Sequence, residues 1–182
     1  MIQEQVLNNN YMENLNVFKN SVPSDLVSKL IELDKKCFPG NLFMSKEDLE
    51  HIFSDPKLIL HKVESEGRLL GYTYGVPLTS VFKELSEADP DLVDDPECLY
   101  VYSTATDPDE RSLKMFFELI KGIEESAILK GYSSISRHSR TTEGYSSVLK
   151  KKFKYNFVRT LDDWMESGES FDYLVKDLKN LD

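Results

Sequence analysis

Cysteine is scarce in this 182-residue chain: Cys37 and Cys98 are the only two. No disulfide framework or cysteine-based zinc site is therefore in prospect. The three histidines, His51, His61 and His138, have no local metal-ligand spacing. No apolar run approaches the roughly 18 residues that a membrane-spanning helix needs. The first 16 residues lack the basic start and apolar stretch of a signal peptide. Positive charge is also short, with 22 Lys and Arg against 32 Asp and Glu, a net charge of −10. That balance argues against broad binding to duplex DNA or anionic membranes, which depends on summed positive charge. What remains is an ordinary globular composition, 40% hydrophobic and 30% charged. The expectation is a soluble, reduced, cytoplasmic protein with one main domain at 21–182 behind an arm at 1–20.

Periodicity supplies the elements. Pro23-Ser24-Asp25 opens a helix whose Leu26, Val27, Leu30, Ile31 and Leu33 share a face, and Pro39-Gly40 stops it. Ser45 and Asp48 resemble a capping box before a short helix carrying Leu49, Ile52 and Phe53. Alternation around Glu64-Ser65-Glu66-Gly67 predicts a hairpin over 58–76. Residues 79–97 read as a long acidic connection, and 98–106 as a compact apolar strand. A turn at Asp107-Pro108-Asp109-Glu110 leads into the longest helix, with Phe116, Phe117, Ile120, Ile123 and Ala127 at helical spacing. Further elements follow as a strand at 132–137, a helix at 141–152, and strands near 155–160 and 171–176. Strand–helix–strand over 98–137 is long enough for a parallel crossover. The fold class is thus α/β (α+β), a mixed, twisted central sheet with helices on both faces.

This element order resembles the GNAT family of acyl-CoA N-acyltransferases over nearly the whole of 21–178. The family's cofactor loop, Arg/Gln-x-x-Gly-x-Gly/Ala, joins the central strand to the following helix, where backbone N–H groups cradle the coenzyme A pyrophosphate. The matching stretch here is Arg111-Ser112-Leu113-Lys114-Met115-Phe116, with Lys114 and Phe116 at the two small positions. Two readings stay open: an anion cradle made by helix N-terminal amides with Lys114 as a cation, or an acid-capped structural helix. Asp109 and Glu110 bring negative charge to the same place.

The resemblance also implies that an amine attacks a thioester directly, so the protein positions the acyl carbonyl and manages protons. By position, backbone N–H groups of Ser103, Thr104, Ala105 and Thr106 hold that carbonyl. The family often places a general-acid Tyr on its last helix, a few residues before Gly-Phe. Here the two possible registers put Lys152 or Lys150 at that position, and Tyr145 and Tyr155 stand in by proximity alone. His138 and Glu143 are further acid–base candidates, set against a loop histidine and a helix N-terminal acid with no catalysis. The run Lys150-Lys151-Lys152 is either a solvated face or an attraction for the ribose phosphate.

The leading expectation is therefore an enzyme using acetyl-CoA, or another acyl-CoA, to acylate a small-molecule or peptide amine. The acidic stretch 84–97 would favour a cationic amine. Two alternatives are a catalytically weakened binding or regulatory module of the same fold, and an acidic interaction protein.

Overall fold

The computed structural model describes residues 11–16 by backbone alone, and then 23–38, 40, 42–110 and 113–179, with Glu143 also by backbone alone. Helix α1 spans Ser24–Cys37, with Asp25 in its first turn and Lys35 and Lys36 in its last, both favourable to the helix dipole. Helix α2, Lys46–Phe53, starts as its sequence predicts: the Ser45 side chain accepts a hydrogen bond from the Asp48 N–H. Strands β2 (Ile59–Ser65) and β3 (Arg68–Pro77) flank Glu66 and Gly67, both at positive φ, as a two-residue hairpin turn requires.

Helix α3 follows at Leu78–Ala88, then β4 at Cys98–Thr106, α4 at Leu113–Leu129 and β5 at Ser134–Arg140. After a 3-10 turn at Thr142–Gly144 come α5 (Tyr145–Lys152), β6 (Asn156–Leu161) and β7 (Phe171–Asp177). With β1 (Tyr11–Asn16), the strands follow the order β1-β2-β3-β4-β5-β7-β6 in one sheet. The sheet is mixed: β4 and β5 run parallel, whereas β5–β7, β6–β7 and β1–β2 are antiparallel. The parallel crossover expected over 98–137 is present.

Three elements differ from expectation. The stretch 1–20 contributes β1, which pairs with β2 from Tyr11↔Glu64 to Asn16↔Ile59. The acidic connection begins with α3, whose Leu78, Val81 and Leu85 are buried at helical spacing. Strand β5 runs on to Arg140, carried by a ladder to β7 from Ser134↔Asp177 to Arg140↔Phe171.

The chain divides into two compact units, one of residues 1–74 with 103–123 and one of 75–102 with 124–182. In the first, successive residues of β3 meet different helices. Tyr72 and Tyr74 stack with each other, Tyr74 meets Phe53 of α2 edge-on, and Tyr72 meets Asp34 of α1. On the opposite face, a Cβ on Gly71 would lie 3.0 Å from the Met115 sulfur and 3.2 Å from Leu119. Glycine there lets α4 lie close to the strand, where Val63, Leu70, Met115 and Leu119 form a buried cluster. In the second unit, a Cβ on Gly75 would be 2.7 Å from the Tyr100 carbonyl oxygen.

Candidate functional site

In the first unit, side chains from α1 and β3 converge on the end of β4. Asp34 follows Val27 and Leu30 on the apolar face of α1 and is 2% exposed. The Tyr72 hydroxyl donates to its carboxyl and also meets the Ser103 hydroxyl at 3.2 Å. Burial pushes the Asp34 carboxyl up to about 7, opposed by a hydrogen bond from the Met44 backbone N–H. Thr73 Oγ1 lies 2.7 Å from Thr104 Oγ1 and donates to the Ser103 carbonyl at 3.3 Å. Ser103 and Thr104 remain partly exposed, whereas Ala105 and Thr106 are buried. The Thr106 carbonyl accepts from Cys37 Sγ at 3.4 Å.

The turn after β4 is pinned by charge. Asp107 accepts from Lys36 Nζ at 3.1 Å and from the Asp109 N–H at 3.0 Å, and Arg68 lies 3.7 Å away. Burial would raise its pKa, but the Asp109 N–H and the two cations hold it below the usual carboxylate range. Lys36 also reaches Asp109 at 3.9 Å, and Arg68 reaches Glu110 at 3.6 Å. Cations from α1 and β3 thus answer the acids at this helix start. Beyond the turn, Leu113 and Lys114 point outward, the Lys114 side chain 68% exposed and 3.9 Å from Glu118. Met115 and Phe116 are buried, so both side chains belong to the core. Arg111 and Ser112 lie outside the described residues. Toward a diphosphate, the described residues of this segment offer first-turn amides, the outward Lys114 cation and acids met by Lys36 and Arg68, a donor set that fits such a group.

The second unit places His138 differently from a loop histidine. It lies within β5, its side chain 1% exposed, stacked on Trp164 at 3.9 Å and on Tyr173 at 4.7 Å between ring centroids. Its Nε2 is 3.1 Å from Asp89 Oδ2, and its Nδ1 is 2.8 Å from the Tyr100 hydroxyl. Arg159 donates to the same Asp89 through Nε at 2.9 Å and through its terminal nitrogen. Burial alone would raise the Asp89 pKa; hydrogen bonds and charge from His138 and Arg159 bring it below the ordinary value. Burial likewise pushes the His138 imidazole down, against the pull of Asp89. An ionised Asp89 only accepts, which assigns the proton to Nε2 and leaves Nδ1 to accept from Tyr100. Both ring nitrogens are therefore engaged inside the protein.

Tyr145 opens α5 and is half-buried, while the Glu143 side chain is outside the described residues. Helix α5 is tied to β7 through Asp172, which accepts from Ser146, from Lys150 at 2.8 Å and from Thr160 at 2.8 Å. Lys151 and Lys152 are exposed. Tyr155 is buried, with the Arg137 guanidinium 5.3 Å from its ring centre. Among the described residues, no group of three His, Cys, Asp or Glu could hold a metal ion, and no helix is long and apolar enough to cross a membrane. Sequence reasoning passed over Asp34, Tyr72, Asp89 and Arg159. For Asp34 the signal was present, an acid at the i+4 position from Leu30 on an otherwise apolar helix face.

No family model and no curated protein matches the chain. Solved structures do. The ribosomal-protein-S18-alanine N-acetyltransferase of Escherichia coli superposes with a TM-score of 0.67 at 9% identity, covering 95% of this chain and 99% of that one. An N-acetyltransferase from Staphylococcus aureus Mu50 gives 0.66 at 13% identity, covering 93% and 99%. An aminoglycoside 6'-N-acetyltransferase complexed with coenzyme A gives 0.62 at 13% identity, covering 92% and 97%. Identities this low speak to architecture, and the architecture is the one that the element order resembles. The fold of this chain is that of the GNAT acetyltransferases.

Proposed function

We propose that this chain is an acyl-CoA-dependent N-acyltransferase in which an amine attacks the thioester directly. The observation that carries the reading is the likeness of nearly the whole chain to acetyltransferases, one of them solved with coenzyme A. Acyl-CoA supplies an acyl group already activated for transfer. Backbone N–H groups along Ser103, Thr104, Ala105 and Thr106 would orient its carbonyl. Lys114 and the amides of Leu113, Met115 and Phe116, joined by Arg111 and Ser112, would hold the diphosphate. Lys36 and Arg68 serve this site indirectly, because they neutralise the acids that would otherwise repel an anion.

His138 enters this scheme as a positioning residue, since both its nitrogens are used internally. Tyr145, which opens α5, and Glu143, in the turn before it, are further acid–base candidates. The acceptor is a primary amine, and acetyl is the acyl group we favour. The related structures act, by their names, on a ribosomal-protein alanine and on aminoglycosides. The net charge of −10 favours a cationic acceptor.

Calorimetry with acetyl-CoA and CoA tests the reading. Binding to the native state raises stability by about 2.7 kcal/mol at a hundredfold excess over Kd. Lys114→Ala should weaken binding of both ligands, and no heat or stabilisation with either would remove the reading. The bulky residues at 114 and 116 favour a second reading, a binding module with little turnover. Tight acetyl-CoA binding without thiol release on any amine would select it.

A further inference from the structure

Asp34, Tyr72 and Ser103 form a line of oxygen-bearing side chains within the first unit. It runs from the interior face of α1, through β3, to the partly exposed part of β4. The groups that meet the Asp34 carboxyl among the described residues are the Tyr72 hydroxyl and the Met44 backbone N–H. Neither is a cation. A buried carboxyl with neutral partners is a costly thing for a core to keep, and a leucine on this helix face would avoid the cost.

Donor and acceptor rules fix the direction of the line. An ionised carboxylate only accepts, so Tyr72 donates to Asp34. The Tyr72 oxygen is then left to accept from the Ser103 hydroxyl, whose own oxygen keeps the capacity to accept a further hydrogen bond. When Asp34 is protonated the same three groups can run the other way. Ser103 also belongs to the stretch of β4 whose backbone we assign to the acyl carbonyl.

We propose that Ser103 takes the proton of the acceptor ammonium, with Tyr72 and Asp34 carrying the charge inward through it; this rests on the acyl-transfer reading above. Ser103 receives one proton from the ammonium as its own passes to Tyr72 and that of Tyr72 passes to the Asp34 carboxylate. The neutral amine nitrogen then bonds to the acyl carbon, the carbon–sulfur bond breaks, and a second nitrogen proton goes to sulfur. Asp34 returns its proton to solvent by the reverse path, so each cycle yields amide, thiol and one released proton. Ser103 is the catalytic residue of this scheme, and Tyr72 and Asp34 act through it. An Asp34 carboxyl held at about 7 is suited to exchange a proton near neutral pH.

Two readouts on the full chain test this. Carbon-13 NMR of the aspartate side chains should show one carboxyl titrating near neutrality, absent in Asp34→Asn. Thiol release from acetyl-CoA with a panel of amines should show kcat/KM falling below about pH 7 in the wild type. Asp34→Asn and Tyr72→Phe should lose that limb and fall about 100-fold or more, the scale of one lost acid–base group. Acetyl-CoA affinity should stay the same in both. Ser103→Ala should fall comparably while Ser103→Thr, which keeps the hydroxyl, retains activity. If Asp34→Asn does not fold, Tyr72→Phe and Ser103→Ala decide. An Asp34 midpoint in the ordinary carboxylate range, or an unaltered pH profile in the folded variants, overturns the relay alone. A wild type inactive on every amine overturns the relay and the acyl-transfer reading together.

Discussion

Each unit buries an aspartate beside a tyrosine-bearing strand, yet the two acids are driven in opposite directions. Asp34 meets neutral donors, and burial lifts its carboxyl to about 7. Asp89 is also buried, but Arg159 and His138 both donate to it and its pKa falls. Burial sets the cost of charge, and what stands beside the carboxyl decides the protonation state. The first arrangement leaves a group free to exchange protons near neutrality. The second locks an ion in place, with α3, β5 and β6 held around it.

The sharpest way to break this contrast is to take away the cation. Arg159→Met should destabilise the protein by about 3–5 kcal/mol in denaturant unfolding, because Asp89 would lose its charge partner inside the protein. Adding Asp89→Asn should recover part of that loss. A change below about 0.5 kcal/mol, the range of an ordinary surface substitution, would mean that Arg159 is incidental.

The pH dependence of stability should then differ in sign. Asp34 binds its proton more tightly folded than unfolded, so its contribution is fully present below pH 3.8 and is lost as pH rises through about 7. Asp34→Asn should therefore gain on the wild type across that window, by an amount on the order of a few kcal/mol. Asp89 has its folded pKa below the ordinary value, so its contribution is present above about pH 4 and disappears as pH falls further. The deficit of Asp89→Asn should shrink in acid. Parallel pH curves for the two variants would contradict the account.

Smaller effects compare the backbones of the same two regions. Gly75→Ala would set a Cβ 2.7 Å from the Tyr100 carbonyl oxygen, where only backbone movement gives relief, at a cost of about 1–3 kcal/mol. Gly71→Ala should cost less, because the nearest backbone atom, the Ala105 carbonyl oxygen, is 3.1 Å from the added Cβ and the Met115 sulfur at 3.0 Å sits on a flexible side chain. Smallest is Ser45→Ala, which removes an exposed cap on α2 for about 1 kcal/mol. Thermal or urea unfolding ranks all three.

Most of the architecture was legible because alternation and helical spacing are local. Strand β4, the β2–β3 hairpin and α1 came directly from their apolar positions. Helix α3 was hidden by Glu84 and Glu87, although Leu78, Val81 and Leu85 carried the period. Strand β1 and the end of β5 depend on ladders to β2 and β7, which no local pattern in Tyr11–Asn16 or His138–Arg140 announces. At the site, the handover from β4 to α4 was readable as a place. The cations that answer its acids were not, since Lys36 and Arg68 lie 71 and 39 positions from Asp107 along the chain. Asp89 looked like part of a solvated acidic run because its partner Arg159 lies 70 positions away in sequence.

Thiol release from acetyl-CoA, followed across primary amines from aminoglycosides and polyamines to peptide N-termini, tests the central claim most directly. The account predicts saturable, amine-dependent release by the wild-type chain, with an acylated amine as the matching product. Acetyl-CoA left intact in the presence of every amine would contradict it.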